Sequence, residues 1–233
     1  MDFSIGVFGV IRIGGIEFWI TESLRNTWII MGALILLAII VRVRLKKWKN
    51  KDTPDTFTLQ NVIEAVVEAF EGFAWNSAGP KVAASISGWF FMVFLFVLLS
   101  NISGIFSLRP PTADWTVTVT LALCTFFMIQ YMGVKHQKGA YIKKFFQPFF
   151  LFLPMNIIGE LARPISLSFR LFGNILAGVV MMSLLYQVAP VFIWFVVPVP
   201  VSAFFDVLFG VLQTFIFTVL GLSFIGAAAT GDS

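Results

Sequence analysis

One arginine lies deep inside a long apolar stretch. Arg170 is preceded by six uncharged residues and followed by 35. A charged group at the centre of a bilayer costs about 2.5–3.5 kcal/mol even on lenient insertion scales, and an arginine keeps its proton throughout the physiological pH range. Snorkelling to the surface is difficult because both ends of the segment are distant. We therefore expect Arg170 to face water, an anion or a carboxylate, with internal pairing to Glu160 as the structural alternative.

The residues that share a helix face with this arginine are small or polar. An α-helix turns about 100° per residue and places six side chains on one side, the Arg170 face: Arg163, Ser166, Arg170, Gly173, Asn174 and Ala177. Small residues allow another helix to approach closely within a membrane. A cation on such a face predicts docking of a partner that carries negative charge. A tight helix contact within the chain would explain the small residues but not the arginine.

A carboxylate and an amide lie seven residues apart near the end of the chain. In α-helical geometry, Asp206 and Gln213 share a face and are about 10 Å apart along the axis. Carboxylates inside membranes usually mark ion or proton routes, so the two residues predict a polar path from the outer surface to mid-membrane. Two structural alternatives remain: Asp206 as a favourable charge at a helix N-terminus, and Gln213 as an interhelical hydrogen bond.

Other kinds of chemistry have little support in the sequence. The chain has one cysteine and one histidine, Cys124 and His136, which excludes a disulfide scaffold and leaves little room for a metal centre or a serine–histidine pair. A nucleotide-binding loop is also missing. We therefore expect no cofactor, no metal and no catalysis by this chain alone. The position of the basic residues explains the net charge of +4 better than nucleic-acid binding does.

Composition decides which elements position these residues. Charged residues are 12% of the 233 and hydrophobic ones 58%, which is too little polar surface for a soluble fold and indicates an integral membrane protein. A spanning helix needs about 20 mostly apolar residues. We predict an all-α fold with five such helices in a single membrane domain, 1–233. Their expected positions are 26–41, 82–108, 115–134, about 147–187 and 201–229.

Two further features complete the predicted architecture. The segment at about 58–74 is amphipathic, with glutamates opposite aliphatic residues, and we expect it to lie in the membrane interface or to pack on a partner. Three prolines place a turn near 188–200. The last two long helices then form a hairpin over 145–231.

The distribution of basic residues predicts the orientation. Six Lys or Arg lie in 42–51 and four in 135–144, whereas the loop between the second and third helices contains only Arg109. By the positive-inside rule, both basic loops are cytoplasmic. The N-terminus is then outside and, after five crossings, the C-terminus is cytoplasmic.

At these motifs the chain resembles a known family. SLSFRLFGNILAG at 166–178, followed by LQTFIFTVLGLSFIGAA at 212–228, closely resembles subunit a of bacterial F-type ATP synthases. IRIGGIEFWIT near the N-terminus and LLSNISGIFSLRPPTADWTVTVTLAL at 98–123 fit the same family in the right order. The resemblance implies that Arg170 is the essential stator charge and that Asn174 and Gln213 are the amides of the ion path.

The acidic positions of the family are only partly kept. The family often has an acid nine residues after the arginine, where this chain has Val179. Seven residues before the glutamine, where the family often has a histidine or an acid, this chain has Asp206. The resemblance therefore makes Asp206 the stronger candidate for the outer channel, and it implies that Glu160 and Arg163 line the cytoplasmic side. The alternative is that Glu160 pairs with Arg163, three residues further on.

The resemblance also implies a mechanism and a set of partners. The last two helices would be a tilted hairpin against a rotor ring of small proteolipid subunits, with Ser166, Gly173 and Ala177 facing the rotor. Two half-channels would carry protons, or sodium ions, to and from the ring carboxylates and so couple ion flow to ATP synthesis. Peripheral-stalk membrane subunits, the rest of the synthase and the lipid bilayer would be the other partners, with no nucleic acid. The location implied is the bacterial plasma membrane, with several crossings.

The main alternative is a secondary transporter or channel that binds an anionic substrate at Arg170. Transporters usually carry internal repeats and broken helices at matched positions, and this sequence has neither. A purely structural scaffold would leave the charges of Arg170 and Asp206 unexplained.

Overall fold

The computed structural model describes residues 7–13, 16–48, 59–106, 109–146, 149–188, 197, 200–201 and 203–231. Most of these residues are α-helical. The helices are α1 (Glu22–Trp48), α2 (Leu59–Ala78), α3 (Pro80–Ile102), α4 (Trp115–Gln137), α5 (Gly139–Lys144), α6 (Leu153–Val188) and α7 (Gly210–Thr230). Short 3₁₀ turns occupy Ser103–Phe106, Pro111–Ala113 and Phe150–Phe152.

Five helices are long and apolar enough to cross a membrane. They are Glu22–Arg44, Val82–Ile102, Trp115–Gln137, Phe150–Val188 and Val207–Thr230. The predicted all-α membrane fold with five spanning helices is confirmed. At 1.5 Å per residue, the 36 residues of α6 extend about 54 Å. That exceeds the hydrocarbon core of about 30 Å, so this helix is long enough to cross the bilayer at a tilt.

An antiparallel β-hairpin precedes the first spanning helix and was not predicted. It consists of β1 (Val7–Ile13) and β2 (Ile16–Thr21), with Ile13 opposite Ile16. Both strands are rich in β-branched and aromatic residues, which favour extended backbone. α1 begins at Glu22, directly after β2. The hairpin is therefore an addition to the predicted all-helical architecture, joined without a linker to the first span.

Contacts divide the chain into two compact units. The first unit contains Met1–Met31, Phe96–Phe126 and Ile158–Phe217, and the second contains Gly32–Leu95, Phe127–Ile157 and Thr218–Ser233. All the residues predicted to carry ion translocation belong to the first unit.

The second unit has its own apolar core. Its buried side chains come from α2, α3, α4, α5 and α7: Ala74, Ala78, Val82, Ala83, Ile86, Phe90, Ile129, Met132, Tyr141, Leu222, Ile225 and Ala228. α7 comes very close to α2, since a Cβ added to Gly226 would lie 2.9 Å from the Cα of Ala78. α2 ends at this point because Gly79 has a φ of +81° and Pro80 opens α3, the usual residues for a helix end and a helix start.

The predicted amphipathic segment forms α2. The ring of Phe70 on α2 contacts two rings on α3. Its centroid lies 5.0 Å from that of Phe91 and 5.7 Å from that of Phe94. The aliphatic side behaves differently, because Val62 and Val66 are 56% and 51% exposed. Among the described residues, α2 therefore packs through Phe70, Ala74 and Ala78, whereas Val62 and Val66 on its aliphatic side stay exposed.

Candidate functional site

α6 has one buried side and one exposed side. The buried residues recur every three or four positions, as expected of a single helix face: Pro164, Leu167, Ser168, Leu171, Ile175 and Gly178. Ser166, Arg170 and Ala177 lie outside this stripe and are exposed. These three residues of the Arg170 face therefore point away from the described part of the chain, whereas Arg163, Gly173 and Asn174 are only half-exposed.

The two glycines of α6 in this region have different surroundings. A Cβ added to Gly178 would lie 3.1 Å from the Cβ of Phe205, so the chain packs tightly there. A Cβ added to Gly173 would meet no described atom within 4 Å. Close contact within the chain thus explains the small residue at 178. It does not explain the small residues of the Arg170 face.

The guanidinium of Arg170 has no hydrogen-bond or ion-pair partner among the side chains that the structure describes. Glu160, the internal partner considered from the sequence, binds Arg163 instead. The Nη1 atom of Arg163 lies 3.0 Å from the Oε1 atom of Glu160 and donates a hydrogen bond of 3.0 Å to its Oε2 atom. Glu160 is therefore neutralised by Arg163, one turn further along α6. Arg170 is exposed, and none of the described residues compensates its charge.

Two amides meet next to the arginine. Asn174, one turn after Arg170, donates from its Nδ2 atom to the Oε1 atom of Gln213 on α7 at 2.8 Å. Gln213 is only 2% exposed, and its Nε2 atom has no hydrogen-bond partner among the described residues. The sequence predicted both residues as site members. The structure adds that they form one interhelical contact with a spare buried donor.

The segment that carries Asp206 is not an α-helix. Ala203–Phe209 forms a π-helix, whose i→i+5 hydrogen bonds place more residues in each turn than the i→i+4 bonds of an α-helix. The α-helical spacing assumed between Asp206 and Gln213 is therefore wrong, since part of that interval has π geometry. The side chain of Asp206 and most of the predicted turn at 188–200 lie outside the described residues.

Comparison with known proteins gives this arrangement a family. A family model described as ATP synthase A chain matches residues 26–226, from α1 to near the end of α7. The chain belongs to the ATP synthase subunit a family. The resemblance seen at 166–178 and 212–228 is thereby confirmed.

Relatives of this subunit cover nearly its whole length. "ATP synthase subunit a, sodium ion specific" from Propionigenium modestum is 31% identical, with 100% of this chain and 79% of that protein covered. "ATP synthase subunit a" from Moorella thermoacetica is 32% identical, with 93% of each chain covered. The chloroplastic subunit a of Stigeoclonium helveticum is 31% identical over 97% of this chain and 91% of its own. Subunit a is thus a multi-pass membrane component of the ATP synthase complex.

Sequence reasoning missed a buried polar cluster beside the amide pair. Asn101 donates from its Nδ2 atom to the backbone oxygen of Gly210 at 3.0 Å and to the Oγ1 atom of Thr214 at 3.3 Å. Its Oδ1 atom accepts a hydrogen bond of 2.8 Å from the Oγ1 atom of Thr112. Asn101, Thr112 and Thr214 are all 0% exposed. Gly210 is 109 residues away from Asn101 in sequence, so no local spacing could reveal the contact.

Proposed function

We propose that this subunit is the stator ion channel of an F-type ATP synthase, which couples ion flow through the membrane to rotation of a ring and hence to ATP synthesis. The observation that carries the proposal is the exposed charge of Arg170, which has no counter-charge among the described residues and lies on a face of small residues. A permanent cation is stable in mid-membrane only beside an anion or water. A ring of small subunits, each with a mid-membrane carboxylate, would supply that anion repeatedly.

The charge of Arg170 would act in two ways. It would attract a ring carboxylate that has lost its ion, and it would repel any cation moving directly from one side of the membrane to the other. Moving one elementary charge across 100 mV is worth about 2.3 kcal/mol, so an unguarded passage would waste the gradient. Gly173 supports close approach of the ring, because an added Cβ at this position would meet no described atom within 4 Å.

Polar groups on either side of Arg170 support two separate half-channels. Arg163 and Glu160 lie seven and ten residues before the arginine, about 10 and 15 Å along α6 towards its N-terminal end. The Asn174–Gln213 pair lies one turn after it, about 6 Å along the axis. With the basic loops in the cytoplasm, the first pair lies on the cytoplasmic side and the second on the outer side. Asp206 would deliver ions from outside towards Gln213, whose Nε2 atom has no partner among the described residues and is able to bind water.

The remaining parts of the proposal concern ion, location and partners. The coupling ion is a proton or a sodium ion, and the relative from Propionigenium modestum carries a sodium-specific name. We place the subunit in a bacterial plasma membrane, with its N-terminus outside and residues 145–231 as the channel and rotor-facing hairpin. Peripheral-stalk subunits would bind away from the ring.

Crosslinking at neighbouring positions of α6 tests whether the Arg170 face meets the ring. Ala177 lies on that face, and Leu176 is 41% exposed on a different side of the helix. In a chain without other cysteines, we expect Ala177→Cys to crosslink to a small proteolipid in membranes that contain the whole complex. The matched Leu176→Cys should react with lipid-soluble reagents but not crosslink. Equal crosslinking of both, or none from Ala177→Cys in an assembled complex, would contradict the proposal.

A further inference from the structure

The buried amide of Asn101 lies where the backbone of the last helix changes its geometry. The π-helix ends at Phe209 and α7 begins at Gly210. The backbone oxygen of Gly210 accepts hydrogen bonds from the Nδ2 atom of Asn101 at 3.0 Å and from the Oγ1 atom of Thr214 at 2.8 Å. The first carbonyl of α7 is therefore held by a side chain from α3 as well as by its own helix.

Glycine at position 210 makes this contact possible. A Cβ added there would lie 2.9 Å from the Cβ of Asn101, which is closer than carbon atoms can approach without displacement. Only a residue without a side chain lets α3 and the helix junction approach so closely. On the other side, Thr112 donates to the Oδ1 atom of Asn101 at 2.8 Å and so fixes which end of the amide faces Gly210.

We propose that Asn101, oriented by Thr112, is a positioning residue that fixes the rotation of α7 at Gly210 and so keeps Gln213 against Asn174. Gln213 follows the junction by three residues, close to one helical turn. A shift of the π-to-α transition by one residue would rotate every later side chain about the axis. The amide of Gln213, which contacts Asn174 at 2.8 Å, would then leave its partner. The importance of this effect for transport rests on the proposed function, but the geometric effect does not.

Variants at Thr112 separate hydrogen bonding from steric fit. Thr112→Val keeps the shape but loses the hydroxyl, so the amide of Asn101 is free to turn over. Thr112→Ser keeps the hydroxyl but loses a methyl group. If Thr112 acts through its hydrogen bond, Thr112→Ser should keep Gln213 against Asn174 and Thr112→Val should not. If Thr112 acts only through packing, Thr112→Val should keep this contact and Thr112→Ser should weaken it. Ser100→Ala is the matched control, because Ser100 is adjacent, 0% exposed and without a hydrogen-bond partner for its Oγ atom among the described residues.

The readout is the distance between positions 174 and 213 within the assembled complex. Asn174→Cys and Gln213→Cys are combined in a chain without other cysteines and treated with a short bifunctional thiol reagent in membranes. We expect Thr112→Val and Asn101→Ala to slow crosslinking about tenfold, equivalent to about 1.4 kcal/mol, with Thr112→Ser and Ser100→Ala within about twofold of the parent. Unchanged crosslinking in Thr112→Val and Asn101→Ala, or equal loss in Thr112→Ser and Thr112→Val, would overturn the proposal.

Ion pumping distinguishes this proposal from the proposed function. It is measured in Thr112→Val with Asn174 and Gln213 intact. Slower crosslinking together with slower pumping supports the positioning role and the role of Gln213 in transport. Slower crosslinking with normal pumping supports positioning but contradicts the transport role of the amide pair. Slower pumping without any change in crosslinking contradicts positioning.

Discussion

Enlarging Gly173 tests whether the Arg170 face is a contact surface for another subunit. An added Cβ would meet no described atom within 4 Å, and alanine is favoured over glycine in a helix interior by about 0.8–1 kcal/mol. Gly173→Ala should therefore leave the chain as stable as before or slightly more stable. Gly173→Leu should also assemble, but its side chain would collide with each passing ring subunit. Overpacking costs about 1–3 kcal/mol, so we expect ATP-driven ion pumping to fall about 5- to 150-fold.

Gly226 is the matched control for this substitution. A Cβ there would lie 2.9 Å from the Cα and 3.0 Å from the backbone oxygen of Ala78, which cannot move aside as a flexible side chain can. Gly226→Ala should lower the melting temperature of the purified complex, while Gly173→Leu should not. Pumping is measured in inverted membrane vesicles with equal amounts of assembled complex. Normal pumping in assembled Gly173→Leu would refute the assignment of this face to the ring.

Three further outcomes follow from the site and the orientation. In a double-mutant cycle on pumping, Asn174→Leu and Gln213→Leu should fall short of additivity by about 0.5–1.5 kcal/mol, the net value of one hydrogen bond, and strict additivity would deny their coupling. Asp206→Asn should strongly slow pumping in a complex that still assembles. Near-normal pumping would instead mean that Asp206 is only a favourable charge at a helix N-terminus, with no role in ion transport. In single-cysteine chains and sealed cells, an impermeant thiol reagent added outside should label Ala113→Cys but not Lys138→Cys, and the opposite pattern would reverse the orientation.

The spanning helices could be predicted because insertion depends on the length and composition of each segment. Five predominantly apolar segments were predicted to span, the last two with charged residues inside them, and they correspond to the five spanning helices. The hairpin at 7–21 was missed although its signal was present, since Gly14 and Gly15 separate two runs rich in β-branched and aromatic residues.

The site was predictable on α6 but not across helices. The α-helical period correctly placed Ser166, Arg170 and Ala177 on one exposed side. It failed in the segment that carries Asp206, because that segment is a π-helix, a rare geometry with a different number of residues per turn. The same holds for Asn101, whose partners are distant in sequence and come together only in the folded chain.

The central claim is that Arg170 is the stator charge that couples ion flow to rotation. The most direct measurement is gradient-driven ATP synthesis in vesicles that contain Arg170→Ala, with assembly checked by co-purification and passive ion leak recorded in parallel. We expect an assembled complex, no synthesis and a raised leak, because both the attraction for the ring carboxylate and the barrier between the half-channels are lost. Arg170→Lys should restore little, since a lysine is a point charge that loses its proton when desolvated. Wild-type synthesis in an assembled Arg170→Ala complex would contradict the claim.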